Sequence, residues 1–134
     1  MTDDLRERLV QAALEARDKA YAPYSGFAVG AALLCHSGEI IAGCNVENGS
    51  YGLTVCAERV AAYRAISRGL QTFTAIAVAT GGGASPCGAC RQVLAEFCDD
   101  LPVLLIDAQS GMLDRETSLN HLLPDRFVRD DATG

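Results

Sequence analysis

Two cysteines in the stretch SPCGACRQVL, residues 85–94, have the spacing of a metal-binding or redox-active pair. Cys87 and Cys90 are separated by two residues and follow a proline. Ser85 is a favourable N-cap and Pro86 a favourable first helical residue, so the pattern predicts a helix with both cysteines in its first turns. The positive end of a helix dipole favours the thiolate, which a metal ligand and a redox nucleophile both need. The motif alone leaves three interpretations open: a redox disulfide, a structural zinc or a catalytic zinc.

A third cysteine, Cys56, lies at the predicted start of another helix, in the sequence TVCAER. Three thiolates are one fewer than the four ligands of a closed structural zinc site, and an open fourth position is typical of a catalytic zinc. Glu58 follows Cys56 by two residues, close enough to exchange protons with a water at that position without binding the metal. The pattern therefore favours a catalytic zinc held by Cys56, Cys87 and Cys90, with Glu58 as the acid and base.

The charge of such a centre requires a nearby cation. Three thiolates overcompensate the two positive charges of zinc, and Arg59 and Arg91 each adjoin one of the predicted site residues. At about 5 Å and an effective dielectric near 20, one positive charge contributes on the order of 3 kcal/mol. Either arginine could supply it, and either could be an ordinary residue of a helix surface.

Helices and strands that alternate along the chain must position these residues. The order of a strand, the CxxC helix and another strand requires a parallel strand pair with a right-handed crossover. The region after residue 107 predicts a turn at AQSG and one helical turn around 118–123. We expect an α/β fold, a three-layer α-β-α sandwich around a mixed sheet of about five strands. The predicted elements are a helix over 3–20, a hairpin of strands over 27–35 and 39–46, a helix that ends at Gly69, a strand over 73–80, the CxxC helix and a strand over 101–107.

Composition and charge narrow the class of protein. The 134 residues predict one domain, 1–134, which is large enough to bury a core without a metal or a disulfide. The net charge of −6 and the lack of a Lys/Arg stripe argue against a nucleic acid partner. The N-terminal MTDDLRERL has no apolar signal segment, and no run is long enough to span a membrane.

The six cysteines also bear on the compartment. Without an export signal they predict a cytoplasmic protein, in which closely spaced thiols bind metal or react more often than they pair. Cys35, Cys44 and Cys98 lie in apolar segments and are predicted to be small buried side chains. His36 and His121 are predicted to lie on the surface, and neither replaces Cys56 as a ligand.

Several stretches together carry a family resemblance. CAE at 56–58 and PCGAC at 86–90 match the zinc deaminase pattern of His or Cys, any residue, Glu, and a later Pro-Cys-x-x-Cys. With APYSGFAVGAAL, GCNVENGSYG and LLPDRF, the sequence resembles the cytidine deaminase family, specifically its small homotetrameric branch. The resemblance covers nearly the whole chain. It departs at Gly49, where many relatives carry alanine, and in the final VRDDATG, which matches nothing.

The resemblance implies zinc-dependent hydrolytic deamination of cytidine and 2′-deoxycytidine to the uridines, with one zinc per chain. Glu58 would take a proton from water, pass it to ring N3 as C4 is attacked, and then protonate the leaving amine. It also implies roles for other residues: Phe27 packs against the pyrimidine, the backbone of Ala57 and of the Ser85 region reads the base edge, Asn45 and Glu47 bind ribose hydroxyls, and Arg59 is the cation beside the sulfurs.

The same resemblance implies that the site is shared between subunits of a homotetramer. Phe127, in LLPDRF, would cover the base in a neighbouring subunit, and the loop around Gly49 and Tyr51 would also contribute across subunits. The alternatives are ordinary: Phe27 and Phe127 could be core residues of their own chain, and Asn45 and Glu47 could be turn residues.

The sequence alone leaves three rival functions open. The first is a deaminase of a blasticidin-type antibiotic, which would keep the zinc residues but lack the Asn-x-Glu of residues 45–47. The second is a zinc-binding domain without enzymatic activity, which the open ligand position argues against. The third is a thioredoxin-like reductase, which would leave Cys56 and Glu58 without a role.

Overall fold

A mixed five-stranded sheet with helices on both faces forms the fold of residues 1–129, which are the residues that the computed structural model describes. Most of the VRDDATG tail, for which the sequence predicts no role, lies outside the described residues. A 3₁₀ turn at Tyr51–Leu53 precedes the second helix. The helices are α1 (Asp3–Arg17), α2 (Ala57–Ser67), α3 (Gly88–Ala95) and α4 (Leu119–Leu122), and the strands are β1 (Gly30–Cys35), β2 (Ile40–Cys44), β3 (Phe73–Thr80), β4 (Pro102–Asp107) and β5 (Met112–Ser118).

The strand order is β2-β1-β3-β4-β5. β1 is antiparallel to both β2 and β3, and β4 is antiparallel to β5. β3 and β4 are the parallel pair, and α3 connects them. The predicted hairpin and the predicted parallel crossover are both confirmed.

Two apolar clusters separate the three layers. One lies between the sheet and α1 and contains Leu9, Ala32 and Leu104. The other lies between the opposite face and α2, α3 and α4, and includes Leu33 and Leu105. All six residues of β1 are buried because both faces of this strand are covered, which explains its continuous apolar sequence.

Close contact between α2 and β2 depends on Gly43. A Cβ atom at this position would lie 2.5 Å from the backbone nitrogen of Ala61 and 2.9 Å from the carbonyl oxygen of Ala57. Glycine therefore allows the first turns of α2 to approach the sheet backbone directly. This contact fixes the depth at which α2 begins, and the predicted metal ligand Cys56 directly precedes α2.

The structure corrects the predicted start of the CxxC helix. α3 begins at Gly88 with Cys87 as its N-cap, so the prediction of Ser85 as N-cap and Pro86 as first helical residue is wrong. The hydroxyl of Ser85 instead accepts a hydrogen bond from Arg91 at 3.2 Å. The same guanidinium donates to the backbone carbonyl of Leu122, 31 residues away, so the Ser85 hydroxyl takes part in a tertiary contact rather than in a helix cap.

Other differences are smaller. The first helix ends at Arg17 rather than near residue 20. The sequence pattern did not identify β5, a largely exposed edge strand with four charged or polar residues in its centre. Cys35 is buried as predicted, whereas Cys44 and Cys98 are only half-buried.

None of the helices found within residues 1–129 has both the length and the apolar character needed to cross a membrane.

Candidate metal centre and active site

Two helix N-termini bring the predicted metal ligands together. Cys56 and Cys87 are the N-cap residues of α2 and α3, and both have an extended backbone. The carbonyl of Cys56 accepts from the N–H of Val60 at 3.1 Å, and that of Cys87 from Arg91 at 3.0 Å. Cys90 is buried in the first turn of α3. All three sulfurs therefore lie at the positive ends of helix dipoles, which stabilise thiolates.

The spacing of the sulfurs fits a zinc ion. The three Sγ atoms lie within 4.8 Å of one another. Cys56 Sγ is 3.9 Å from Cys87 Sγ, which is 3.4 Å from Cys90 Sγ. A zinc–sulfur bond of about 2.3 Å in tetrahedral geometry places two sulfurs about 3.8 Å apart. The cluster thus supplies three corners of a tetrahedron and leaves the fourth for a non-protein ligand.

The electrostatics of the cluster favour a thiolate at Cys56. Hydrogen bonding from Cys90, and to a smaller extent from Arg59, lowers the pKa of the Cys56 thiol to about 5. Hydrogen bonding to Cys56, together with burial, raises the pKa of Cys90. Without a metal these contacts favour a thiolate at Cys56 and a protonated thiol at Cys90, and a divalent cation bound by the sulfurs would displace the remaining proton.

The structure places Arg59 beside the sulfurs. Its Nη2 donates to Cys56 Sγ at 3.4 Å. Its Nε is a buried N–H without a hydrogen-bond partner among residues 1–129. A buried donor of this kind requires an acceptor. A sulfur of the cluster in its thiolate form would be a stronger acceptor for this N–H than a neutral thiol.

Arg91 has a different set of contacts. It donates to the carbonyls of Pro86 and Leu122, each at 2.7 Å, and to the hydroxyl of Ser85. These bonds connect the loop before Cys87 to the end of α4. Arg91 therefore holds the ligand loop in place.

Glu58 lies in the first turn of α2 and is only 4% exposed. Burial raises the pKa of its carboxyl group, and contact with the Cys90 thiol partly opposes this shift. A raised pKa makes this carboxyl group a stronger proton acceptor than an exposed glutamate. The adjacent Ala57 is fully buried as the first residue of α2.

Asn45 is buried, and its side chain holds the segment around Phe27. Its Oδ1 accepts from the N–H of Val29 at 2.9 Å, and its Nδ2 donates to the carbonyl of Phe27 at 2.8 Å. The nitrogen carries a second N–H, which can donate to one further acceptor.

Glu47 lines a cavity of about 410 Å³. Its carboxylate accepts hydrogen bonds from the backbone of Tyr24 and Ser25 and from the Ser25 hydroxyl. Tyr51, 77% exposed, lies edge-on to Tyr24 with ring centroids 6.2 Å apart. A Cβ at Gly49 would lie 3.1 Å from the hydroxyl oxygen of Tyr24. The residues lining this cavity are Tyr24, Ser25, Glu47, Asn48, Tyr51 and Thr54.

Phe27 and Phe127, the two aromatic residues predicted to contact the base, lie on different parts of the surface. Phe27 is 47% exposed, so it is not a core residue. Phe127 is 71% exposed and lies on the outer side of α2 and α3, where it lines a second cavity with Tyr63 and Phe97. Its carbonyl accepts from Gln92 at 3.3 Å.

Sequence reasoning assigned no role to Tyr24 and Ser25. Both lie in APYSGF, a stretch that carries the family resemblance, and Gly26 follows with a positive φ of 71°. Pro, Ser and Gly together indicate a turn. No local pattern shows that this turn contacts a carboxylate more than 20 residues away.

Three sulfur ligands that leave one position open, beside a buried carboxyl group, define the centre of a zinc hydrolase rather than of a structural zinc domain. Residues 3–105 match the family model of the cytidine and deoxycytidylate deaminase zinc-binding region. The chain therefore belongs to the cytidine deaminase family, and its metal is zinc.

Individual relatives agree with this assignment. A cytidine deaminase of Sporosarcina psychrophila is 48% identical over 130 residues, which is 95% of this chain and 94% of that protein. The crystal structure of a cytidine deaminase from Burkholderia pseudomallei superposes with a TM-score of 0.85 at 50% identity, over 95% of this chain and all of that one. A blasticidin-S deaminase of Bacillus cereus is 32% identical over 111 residues, 75% of this chain and 77% of that protein.

Proposed function

We propose that this protein hydrolyses cytidine and 2′-deoxycytidine to uridine and 2′-deoxyuridine, with release of ammonia. The observation that carries the proposal is the cluster of three sulfurs at zinc-binding distances, with the buried Glu58 in the first turn of the same helix that Cys56 caps. The reaction consumes one water and replaces the exocyclic amine at C4 with oxygen. Residues 1–134 would act as one catalytic unit in the salvage of pyrimidines.

Zinc, when bound by Cys56, Cys87 and Cys90, supplies Lewis acidity that lowers the pKa of a water molecule. Glu58 accepts the proton of that water and delivers it to ring N3. It then takes the remaining proton from the oxygen now bonded to C4 and passes it to the amine as the C4–N bond breaks, so that C4=O forms and ammonia leaves. Burial raises the pKa of Glu58, which makes its carboxylate a better proton acceptor in both transfers.

The remaining residues orient the nucleoside. Phe27 contacts the pyrimidine, and the backbone of Ala57 and of the Ser85 region binds the base edge. Asn45 and Glu47 contact the sugar, which fixes C4 relative to the metal centre. Glu47 is the charged side chain of the cavity and is negative, so it repels a phosphate and disfavours cytidine monophosphate.

A substrate comparison tests the proposal. Purified protein with a measured zinc content is assayed for ammonia release from cytidine, 2′-deoxycytidine, cytosine, cytidine monophosphate and blasticidin S. We expect turnover of the two nucleosides, with much weaker turnover of the base and the nucleotide. Zinc-loaded protein that releases no ammonia from cytidine would contradict the proposal, and preferential turnover of blasticidin S would favour the antibiotic deaminase.

The assembly that we propose is a homotetramer in which neighbouring subunits complete each site. Exposed apolar residues support this assembly. Large apolar side chains in or next to the segments that line the Glu47 cavity are solvent-exposed in the single chain, namely Phe27, Tyr51 and Leu53. A group of such residues marks a surface that a partner covers. We also propose a cytoplasmic location, since all six cysteines are free thiols.

A further inference from the structure

The turn before Phe27 holds the carboxylate of Glu47 in one orientation. Oε1 accepts from the backbone N–H of Tyr24 at 2.9 Å and of Ser25 at 3.1 Å. Oε2 accepts from the hydroxyl of Ser25. A carboxylate has about four acceptor positions, so these three bonds leave about one for a ligand in the cavity.

The hydroxyl of Ser25 takes part in a second contact. Its oxygen accepts from the backbone N–H of Phe27 at 3.0 Å, and the carbonyl of Phe27 accepts from the Asn45 amide at 2.8 Å. One hydroxyl group therefore connects the carboxylate that lines the cavity to the backbone of the exposed aromatic residue. The Ser25 hydroxyl is the atom group that these two hydrogen bonds share.

We infer that Ser25 is a positioning residue, whose hydroxyl fixes the Glu47 carboxylate and the Phe27 backbone relative to each other, so that sugar and base are bound in a single geometry. The inference rests on the proposed function, in which Glu47 contacts the sugar and Phe27 contacts the base. Hydrogen bonds to a charged group are stronger and more directional than those between neutral groups. Removal of the hydroxyl leaves Oε1 bonded to the turn but releases Oε2.

The hydrogen bond from Ser25 also lowers the pKa of Glu47. The carboxylate therefore remains ionised and accepts hydrogen bonds. The free acceptor position on Glu47 is then available to one sugar hydroxyl in the orientation that Ser25 sets.

Kinetics of Ser25→Ala on two nucleosides test this role. Cytidine carries both secondary sugar hydroxyls, whereas 2′,3′-dideoxycytidine lacks them. We expect kcat/KM for cytidine to fall roughly tenfold or more, mainly through KM, and kcat/KM for the dideoxynucleoside to fall much less. Ser25→Thr retains the hydroxyl and should retain most of the activity on cytidine.

Ser37→Ala is the matched control. The Ser37 hydroxyl also accepts from the backbone N–H two residues later, that of Glu39 at 3.3 Å, but it lies in the β1–β2 turn. Its removal should leave both substrates unaffected. In a Glu47→Gln background, Ser25→Ala should have little further effect on cytidine, because the two residues act as a unit.

Wild-type kcat/KM of Ser25→Ala, or an equal loss of kcat/KM on both nucleosides, would overturn the inference. So would a Ser25→Thr variant as impaired as Ser25→Ala, or fully additive losses of kcat/KM in the Glu47→Gln background. These outcomes differ from failure of the proposed function. A wild-type protein that deaminates no cytosine nucleoside contradicts the function, whereas an active wild type with an unimpaired Ser25→Ala variant contradicts only the inference.

Discussion

At the residue scale, the proposed chemistry depends on four side chains at the beginnings of α2 and α3. The two helix dipoles and Arg59 offset the negative charge of the three sulfurs. Glu58 has a different environment, because it is buried and its pKa is raised rather than lowered. Thiolate sulfurs and a carboxyl group with a raised pKa are thus adjacent, and this difference between neighbouring groups supports the proposed division between metal binding and proton transfer.

Replacement of Glu58 by glutamine should separate these two roles. Glu58→Gln keeps the size and shape of the side chain but cannot carry a proton between water, N3 and the amine. We expect at least a ~10²-fold loss of kcat, with about one zinc per chain retained. Zinc content by metal analysis and turnover by ammonia release are the measurements. Near-normal turnover would remove Glu58 from the mechanism.

At the element scale, close packing of α2 on β2 sets the position of the metal ligands. Gly43 permits contact between the strand and the backbone of Ala57 and Ala61. Arg91 performs the corresponding function for α3, because it holds the loop before Cys87 to the end of α4. The distance between the two helix N-termini, and so the spacing of Cys56 and Cys87, depends on both contacts.

Gly43→Ala should therefore weaken both the fold and the metal site. The added methyl group would lie within 3 Å of three backbone atoms of α2 that cannot move independently of the helix. We expect a loss of about 1–3 kcal/mol in the free energy of unfolding, and faster loss of zinc to a chelator. Urea denaturation and a colorimetric zinc-release assay measure these effects.

Gly81→Ala serves as the control for Gly43→Ala, since a Cβ at Gly81 meets no atom within 4 Å. This variant should unfold at the wild-type urea concentration or slightly above it. Equal behaviour of the two variants would show that α2 can shift without consequence for the metal site.

At the scale of the whole molecule, exposed aromatic residues support the proposal that a neighbouring chain completes the site. Tyr51 and Phe127 are each more than two-thirds exposed, and Phe127 lies on the outer side of α2 and α3. A nucleoside requires surroundings that exclude water, and exposed apolar side chains of this size are typical of protein interfaces. Both features support the proposed homotetramer.

Mixed tetramers test whether Phe127 acts in a neighbouring subunit. Phe127→Ala and Glu58→Gln should each be impaired alone. Refolding the two together should restore part of the activity, because some sites then combine an intact Glu58 with an intact Phe127 from another chain. A mixture of Glu58→Gln and Glu58→Ala sets the background. Absence of recovery in verified mixed tetramers, or a monomeric mass of the active protein by light scattering, would contradict the proposal.

The sequence by itself determined the family, the metal and the order of the elements before the last strand. Cysteines at two predicted helix starts, a glutamate two residues after one of them, and apolar runs of strand length are local patterns, so they can be read without a structure. The predicted hairpin and the parallel crossover followed from the same patterns and are confirmed. The roles of individual substrate-contacting residues stay predictions.

Only the tertiary structure decided which side chains support the site, because their partners are distant in sequence. Ser25 contacts a carboxylate 22 residues later, and Arg91 contacts a carbonyl 31 residues later. The guanidinium of Arg91 also binds the Ser85 hydroxyl, which is therefore not a helix cap, and α3 begins at Gly88. β5 was missed for a related reason: its exposed polar residues show no apolar alternation, and pairing with β4 makes it a strand. Local patterns encode elements and ligand types, whereas long-range hydrogen bonds fix their orientation.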